Sequence, residues 1–204
     1  MRPPGSVGLL GGSFNPAHGG HRTISLEVMR RFRLDAVWWL VSPQNPLKPA
    51  AGMAPLAARM ASARAAARHP RIKVTDIEAR LGTRLTIDTI AGLQALYPRV
   101  RFLWIMGADN LLQFHRWSAW RKIARAVPIV VVARAGYTGR SQFAPAMGWL
   151  RRYRRSSPAR WRRATLPALY ILDQPLDPQS ATAIRRADPD WARSLSPPEP
   201  KDPA

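Results

Sequence analysis

Cysteine is absent from the 204 residues, which excludes disulfides, thiol catalysis and thiolate metal cages. Lysine is scarce, with only Lys48, Lys73, Lys122 and Lys201, and histidine occurs four times. Acidic residues number 12 against 32 basic ones, so arginine dominates a net charge of +20. No apolar run approaches the roughly 18 residues of a membrane helix. Near the N-terminus only Val7-Gly8-Leu9-Leu10 is apolar before glycines intervene, too short for a secretory leader. We therefore expect a soluble, cytoplasmic protein. There is no internal repeat.

A basic balance of this size suits nucleic acid, an anionic membrane surface or anionic small substrates. The excess of arginine, together with many alanines and 20 prolines, also carries a coding bias. A positive field raises the local concentration of phosphate-rich substrates as well as it attracts a polyanion.

The run Gly11-Gly12-Ser13-Phe14-Asn15-Pro16-Ala17-His18-Gly19-Gly20-His21 is the most informative stretch. An apolar strand precedes it and an amphipathic pattern follows, so it reads as strand, glycine turn, two histidines, helix. A helix start of this kind presents free N–H groups and a partial positive charge, which together bind phosphate. His18 and His21 lie about one turn apart on one side of that start. The spacing is neither G-x-G-x-x-G nor a P-loop, since no Gly-Lys-Ser/Thr follows. Without a third histidine nearby, a structural metal pair is disfavoured. Two solvated loop histidines remain open on these residues alone.

Apolar runs alternate with helical patterns. Strands are expected at Val7–Leu10, Ala36–Val41, Ile72–Val74, Val100–Met106, Pro128–Ala133 and Ala168–Leu172. Helices are expected at Gly19–Phe32, Pro55–Arg68, Ile87–Tyr97, Asn110–Phe114, Trp117–Ala126 and Thr182–Ala187. This order predicts an α/β fold: a Rossmann-like open parallel sheet with helices on both faces. We expect residues 1–193 to form one domain with an arginine-rich helical insert near 140–165. The Pro-rich stretch 194–204 is expected to be a disordered tail. Ligands of such sheets sit beyond the carboxyl ends of the strands.

Four further stretches carry candidate chemistry. Asn45-Pro46-Leu47-Lys48-Pro49 follows the second strand and offers an ammonium on a proline-stiffened loop. In Arg80-Leu81-Gly82-Thr83-Arg84-Leu85-Thr86-Ile87-Asp88-Thr89, Thr86 is a credible cap for the helix that follows. Gly107-Ala108-Asp109-Asn110, with Trp117 beyond it, ends the fourth strand. There Asp109 is either a helix cap or a ligand of ribose hydroxyls, and Trp117 either core or a stacking platform. Ser180-Ala181-Thr182-Ala183-Ile184-Arg185 offers a second capped helix start with a guanidinium on its face. In the insert, Arg151 to Arg163 interleaves with Trp149, Tyr153 and Trp161. That pattern suits nucleic acid or, as favoured here, a solvated helical hairpin with aromatics turned to the core.

The first run resembles the His-x-Gly-His motif of the nucleotidyltransferase superfamily. Its Gly-Gly-Ser-Phe-Asn-Pro lead-in looks like the bacterial nicotinate-nucleotide adenylyltransferase branch, which more often has Asp at the position of Asn15. Ser180 to Arg185 resembles the superfamily's Ser-x-Thr-x-Ile-Arg signature. Asn45 to Lys48, Arg80 to Thr89, Gly107 to Trp117 and Val132-Ala133-Arg134-Ala135-Gly136 resemble stretches of the same branch. Arg84-Leu85 stands where the branch usually has Ser-Tyr, so a tyrosine ring contact is lost and an arginine near a carboxylate gained.

The resemblance implies transfer of AMP from ATP, with Mg²⁺, to nicotinate mononucleotide, giving deamido-NAD and pyrophosphate. It implies that Gly11, Gly12, Ser13, Phe14, His18, His21, Ser180, Thr182 and Arg185 hold ATP. His18, His21, Lys48 and Arg185 would act on the transferring phosphates. Arg80, Thr86, Asp109, Trp117 and Arg134 would hold the mononucleotide. Two alternatives stay open: a sibling adenylyltransferase acting on phosphopantetheine or nicotinamide mononucleotide, and a basic nucleic-acid-binding protein. The sequence also leaves open assembly into a homo-oligomer and the preference between the two pyridine mononucleotides.

Overall fold

A computed structural model describes residues 5–44, 51–134, 143–174 and 180–195. Six strands form one sheet in the order β3-β2-β1-β4-β5-β6, with every neighbouring pair parallel. They are β1 Ser6–Gly12, β2 Ala36–Val41, β3 Ile72–Thr75, β4 Arg101–Gly107, β5 Ile129–Arg134 and β6 Leu169–Gln174. The helices are α1 Gly19–Phe32, α2 Leu56–Ala67, α3 Ile77–Arg80, α4 Thr86–Leu96, α5 Ala108–Gln113, α6 Trp120–Ala126, α7 Met147–Leu150 and α8 Ala181–Ala187. All six expected strands are present, mostly displaced by one or two residues. Among the described helices, α3, a single turn, and α7, inside the insert, have no counterpart among the six expected helices.

Side-chain alternation assigns the strands to two core layers. Val7, Leu9, Phe102, Trp104, Met106, Ile129 and Val131 face one layer with Ile90 and Leu93 of α4, Leu111 of α5 and Ile123 of α6. Leu10, Val37, Trp39, Leu103, Ile105, Val130 and Val132 face the other with Val28, Met29 and Phe32 of α1 and Met60 and Ala63 of α2. Strands apolar on both sides therefore mark a sheet covered on both sides.

Over its described residues, 143–165, the insert forms no helical hairpin: it has α7 and 3-10 turns at Arg151–Tyr153 and Pro158–Arg163. Met147 and Leu150 join one core layer and Trp161 the other. Between them Arg154 bridges to Leu169, so the segment covers the free edge of β6. Trp149 packs edge-to-face on Trp120 with centroids 5.4 Å apart, and Tyr153 tilts against Trp149 at 4.9 Å. The buried Trp161 indole donates to the Phe32 carbonyl at 2.9 Å. These aromatics serve packing and form no exposed stacking row for bases among the described residues. Trp191 is buried, and Arg193–Leu195 forms a last 3-10 turn. Residues 196–204 lie outside the described residues.

Candidate active site

Strand β1 lies between β2 and β4, and the chain leaves it toward β2. The order reverses between β1 and β4, which opens a crevice at the carboxyl ends of those strands. A cleft of about 820 Å³ sits there. Its walls bring together Gly11, Gly12, Ser13, Phe14, His18 and His21 from the first run. From the middle of the chain come Thr86, Asp109 and Trp117, and from α8 Ser180, Thr182 and Arg185.

The first run owes its shape to packing beneath it. A Cβ on Gly11 would sit 2.7 Å from the Trp104 ring, so glycine is required there by a neighbouring side chain. Phe14 takes a left-handed backbone conformation, with φ of 47°, and buries its ring against Trp39 at 5.1 Å. The same ring meets His21 at 4.8 Å. His18 is the cap of α1. Its Nδ1 accepts from the Gly20 N–H and the His21 Nδ1 accepts from the His18 N–H, both at 3.2 Å. This reciprocal box commits each Nδ1 as an acceptor. In the neutral ring the proton then resides on Nε2, which can donate to a phosphate oxygen. The two rings lie 4.1 Å apart.

At the other end of the chain Ser180 caps α8, its hydroxyl accepting from the Ala183 N–H at 3.1 Å. The Arg185 guanidinium donates to the Thr182 hydroxyl at 3.4 Å and to the Asn15 carbonyl. The turn that leads into α1 is thereby bonded to α8. Asn15 also clamps the stretch after residue 50. Its amide nitrogen donates to the Gly52 carbonyl at 2.9 Å, and its oxygen accepts from the Ala54 N–H at 3.2 Å. An aspartate would keep only the second bond, which gives the amide at this position a physical reason.

The middle of the cleft departs from expectation in three places. Thr86 is the first residue of α4 and does not cap it; Leu85 occupies the cap position without a side-chain bond. Asp109 lies in the first turn of α5, and a Cβ on Gly107 would collide with its Oδ1. Glycine there makes room for the carboxylate. Arg80 is exposed and does not line the cleft, whereas Arg84 does. The reason is helical geometry: α3 buries Ile77 and Glu78, and Arg80, about 200° around from Glu78, faces out. Trp117 is half-buried. It packs edge-to-face on Trp104 at 6.1 Å and on Phe114 at 5.4 Å while also lining the cleft. Lys48 falls outside the described residues. Arg134 ends β5, and its side chain is not described.

Sequence reasoning missed Glu78. It is 7% exposed and lines the cleft. Burial pushes its carboxyl up to about 7, partly offset by a hydrogen bond with Ser42. It also missed Arg59, described below. Among the described residues no cluster of three or more His, Asp or Glu could cage a metal. A donor set of one or two carboxylates beside a phosphate site suits Mg²⁺ that arrives on triphosphate oxygens. None of the described arginines of the insert lines the cleft. Arg162 donates to Ser6 at the start of β1 and to the Arg33 carbonyl. That places it roughly 20 Å from the cleft end of the strand.

Comparison with known proteins agrees with this fold. The chain belongs to the cytidylyltransferase-like family, which matches residues 9–187. Within that class, relatives named "Probable nicotinate-nucleotide adenylyltransferase" cover most of the chain. The Erythrobacter litoralis protein is 59% identical over 91% of this chain and 85% of its own. One from Cereibacter sphaeroides is 58% identical over 88% and 96%, and one from Parvibaculum lavamentivorans 52% over 91% and 93%. The solved structure of Plasmodium falciparum nicotinic acid mononucleotide adenylyltransferase complexed with NaAD superposes with a TM-score of 0.65. It covers 89% of this chain and 82% of its own at 14% identity, a likeness of fold. No described helix is long and apolar enough to cross a membrane.

Proposed function

We propose that the protein transfers AMP from ATP to nicotinate mononucleotide, releasing deamido-NAD and pyrophosphate. The observation that carries the reading is the meeting of two helix starts from opposite ends of the chain in one cleft, beside Thr86, Asp109 and Trp117. The names of the relatives point to the same acceptor.

Among the described residues no activated serine or lysine nucleophile lines the cleft, and the reaction needs none. An oxygen of the mononucleotide 5′-phosphate attacks the α-phosphorus of ATP. The bond from that phosphorus to the bridging oxygen breaks, and pyrophosphate leaves with the electron pair. Such a transfer depends on alignment and on stabilising negative charge. His18 and His21 donate from Nε2 to ATP phosphate oxygens. Arg185 and Lys48 oppose charge developing on the pyrophosphate, and the N–H groups around Ser180 and Thr182 hold its outer phosphates. The Gly11–Phe14 backbone contacts the nucleotide. Bound Mg²⁺ would add charge neutralisation on the phosphates, with Asp109 the carboxylate placed to reach it or the ribose hydroxyls. The Trp117 face supplies stacking area for the pyridine ring, and Arg84 a cation for its carboxylate. Arg134 stands as a further contact to the mononucleotide phosphate. With these roles the chain works in solution in the cytoplasm on two small anionic substrates.

Pyrophosphate release from ATP, with nicotinate mononucleotide, nicotinamide mononucleotide and phosphopantetheine offered in turn, tests the reading. Turnover with the nicotinate form is expected to exceed the others. Preferred turnover of phosphopantetheine would overturn it. Salt-sensitive binding of random duplex without turnover would favour the nucleic-acid alternative.

A further inference from the structure

An arginine that does not itself line the cleft stands directly behind its wall. Arg59 on α2 is 1% exposed, and no carboxylate pairs with it among the described residues. Its guanidinium donates to four main-chain carbonyls: Ala54 at 2.8 Å from Nε, Ser13 at 2.9 Å and Ser42 at 2.6 Å from Nη1, and Pro43 at 2.9 Å from Nη2. Burial alone lowers its pKa.

Those carbonyls belong to three separate segments. Ser13 lies in the turn between β1 and α1, Ser42 and Pro43 follow β2, and Ala54 precedes α2. A buried guanidinium without a counter-ion is costly, and a core position on an alanine-rich helix could be filled by an apolar residue more cheaply. Its planar fork of five donors is suited to joining carbonyls that diverge. The segments it joins carry the cleft: Ser13 is in the phosphate turn, and Ser42 contacts Glu78. Ser42 and Ala54 flank, in sequence, the stretch that holds Lys48. Asn15 makes the outer half of the same brace, bonding the turn to Gly52 and Ala54 and receiving Arg185 from α8.

We propose that Arg59 is a positioning residue for ATP. With Asn15 it fixes the β1–α1 turn, the β2 exit and α8 in one geometry, so that both phosphate-gripping helix starts address one triphosphate. This rests on the reading of the cleft as an ATP site. The mononucleotide side, formed by Thr86, Asp109 and Trp117, receives no bond from Arg59. The brace therefore acts on one substrate.

The test uses Arg59→Lys and Asn15→Ala in the full chain, with thermal unfolding, calorimetric titration with Mg-ATP and steady-state kinetics. A displacement of the turn by about 1 Å costs on the order of 10²-fold in rate. Folded Arg59→Lys is expected to bind ATP at least ~10-fold more weakly and to lose kcat by up to ~10²-fold, in line with that displacement. Its mononucleotide KM is expected to stay within about twofold, the split between the two substrates that a one-sided brace produces. Asn15→Ala, which leaves the buried group in place, should weaken ATP in the same direction by a smaller factor. Native ATP affinity and kcat in folded Arg59→Lys would overturn the proposal, as would equal losses for both substrates. If Arg59→Lys does not fold, unchanged ATP affinity in Asn15→Ala overturns it. Failure of the unaltered protein to bind ATP would refute the reading of the cleft itself, a result separable from any effect of the variants.

Discussion

Replacing Glu78 by glutamine should make the protein more stable above neutral pH and leave it unchanged in acid. The carboxyl is 7% exposed, and burial lifts its pKa from 4.5 to about 7. The folded state thus holds its proton more tightly than the unfolded chain does. The associated stability is complete below about pH 4.5 and is lost as the pH rises through about 7. The full offset corresponds to about 3 kcal/mol, of which about 2.5 kcal/mol falls between pH 5 and pH 8. Glutamine has the shape of the protonated acid and can still accept the Ser42 hydroxyl, so it keeps the interaction without the charge. Urea unfolding followed by tryptophan fluorescence, at pH 5 and pH 8, gives the difference between native and Glu78→Gln proteins. Other titrating groups cancel in that difference. We expect it to grow in favour of the variant by about 2–3 kcal/mol across the interval. A difference that stays constant within about 0.5 kcal/mol would show that Glu78 is solvated or paired with a cation, and the reasoning from burial would fail.

His21→Ala should lower kcat/KM by at least ~10²-fold, the scale of losing a charge-stabilising donor. The folded structure should survive, at about 1 kcal/mol for the lost cap bond; near-native turnover would remove His21 from the site. Trp117→Ala is expected to raise the mononucleotide KM more than it changes kcat, as loss of uniform binding does. Since Trp117 also packs on Trp104 and Phe114, an unfolded variant with no kinetic signature in Trp117→Phe would assign it to the core alone. Arg84→Ser should raise KM for nicotinate mononucleotide several-fold and leave that for nicotinamide mononucleotide unchanged. Equal effects on the two would show that the guanidinium does not meet the pyridine carboxylate.

The strands and longer helices were legible because each obeys one period. Phe102 to Met106 alternates between two core layers, and α1 follows its glycine turn with the expected bounds. The ends of the cleft were legible because backbone amides, histidines and a capped helix occur as short contiguous runs. Its middle was less so. Arg80 and Arg84 look equivalent in a linear motif, and only the turn of α3 decides which of them meets the cleft. Glu78 and Arg59 were hidden for a different reason. Their roles come from burial and from carbonyls distant in sequence, which no local pattern announces. An arginine four residues before Ala63, on a buried face otherwise of alanine, methionine and one serine, was the one available signal for Arg59. Gly11 and Gly107 carried the right signal for another reason: each makes room for a side chain of the protein itself.

The placement of α1 and α8 has a consequence for synthesis. All six strands have left the ribosome once Gln174 emerges, and the sheet can then close. On the proposed reading the phosphate grip is still half built at that moment, because Ser180, Thr182 and Arg185 follow the last described strand. ATP binding then reports that α8 has joined the sheet. A chain that stops at Gln174 can possess all six described strands and still lack half of the proposed phosphate contacts.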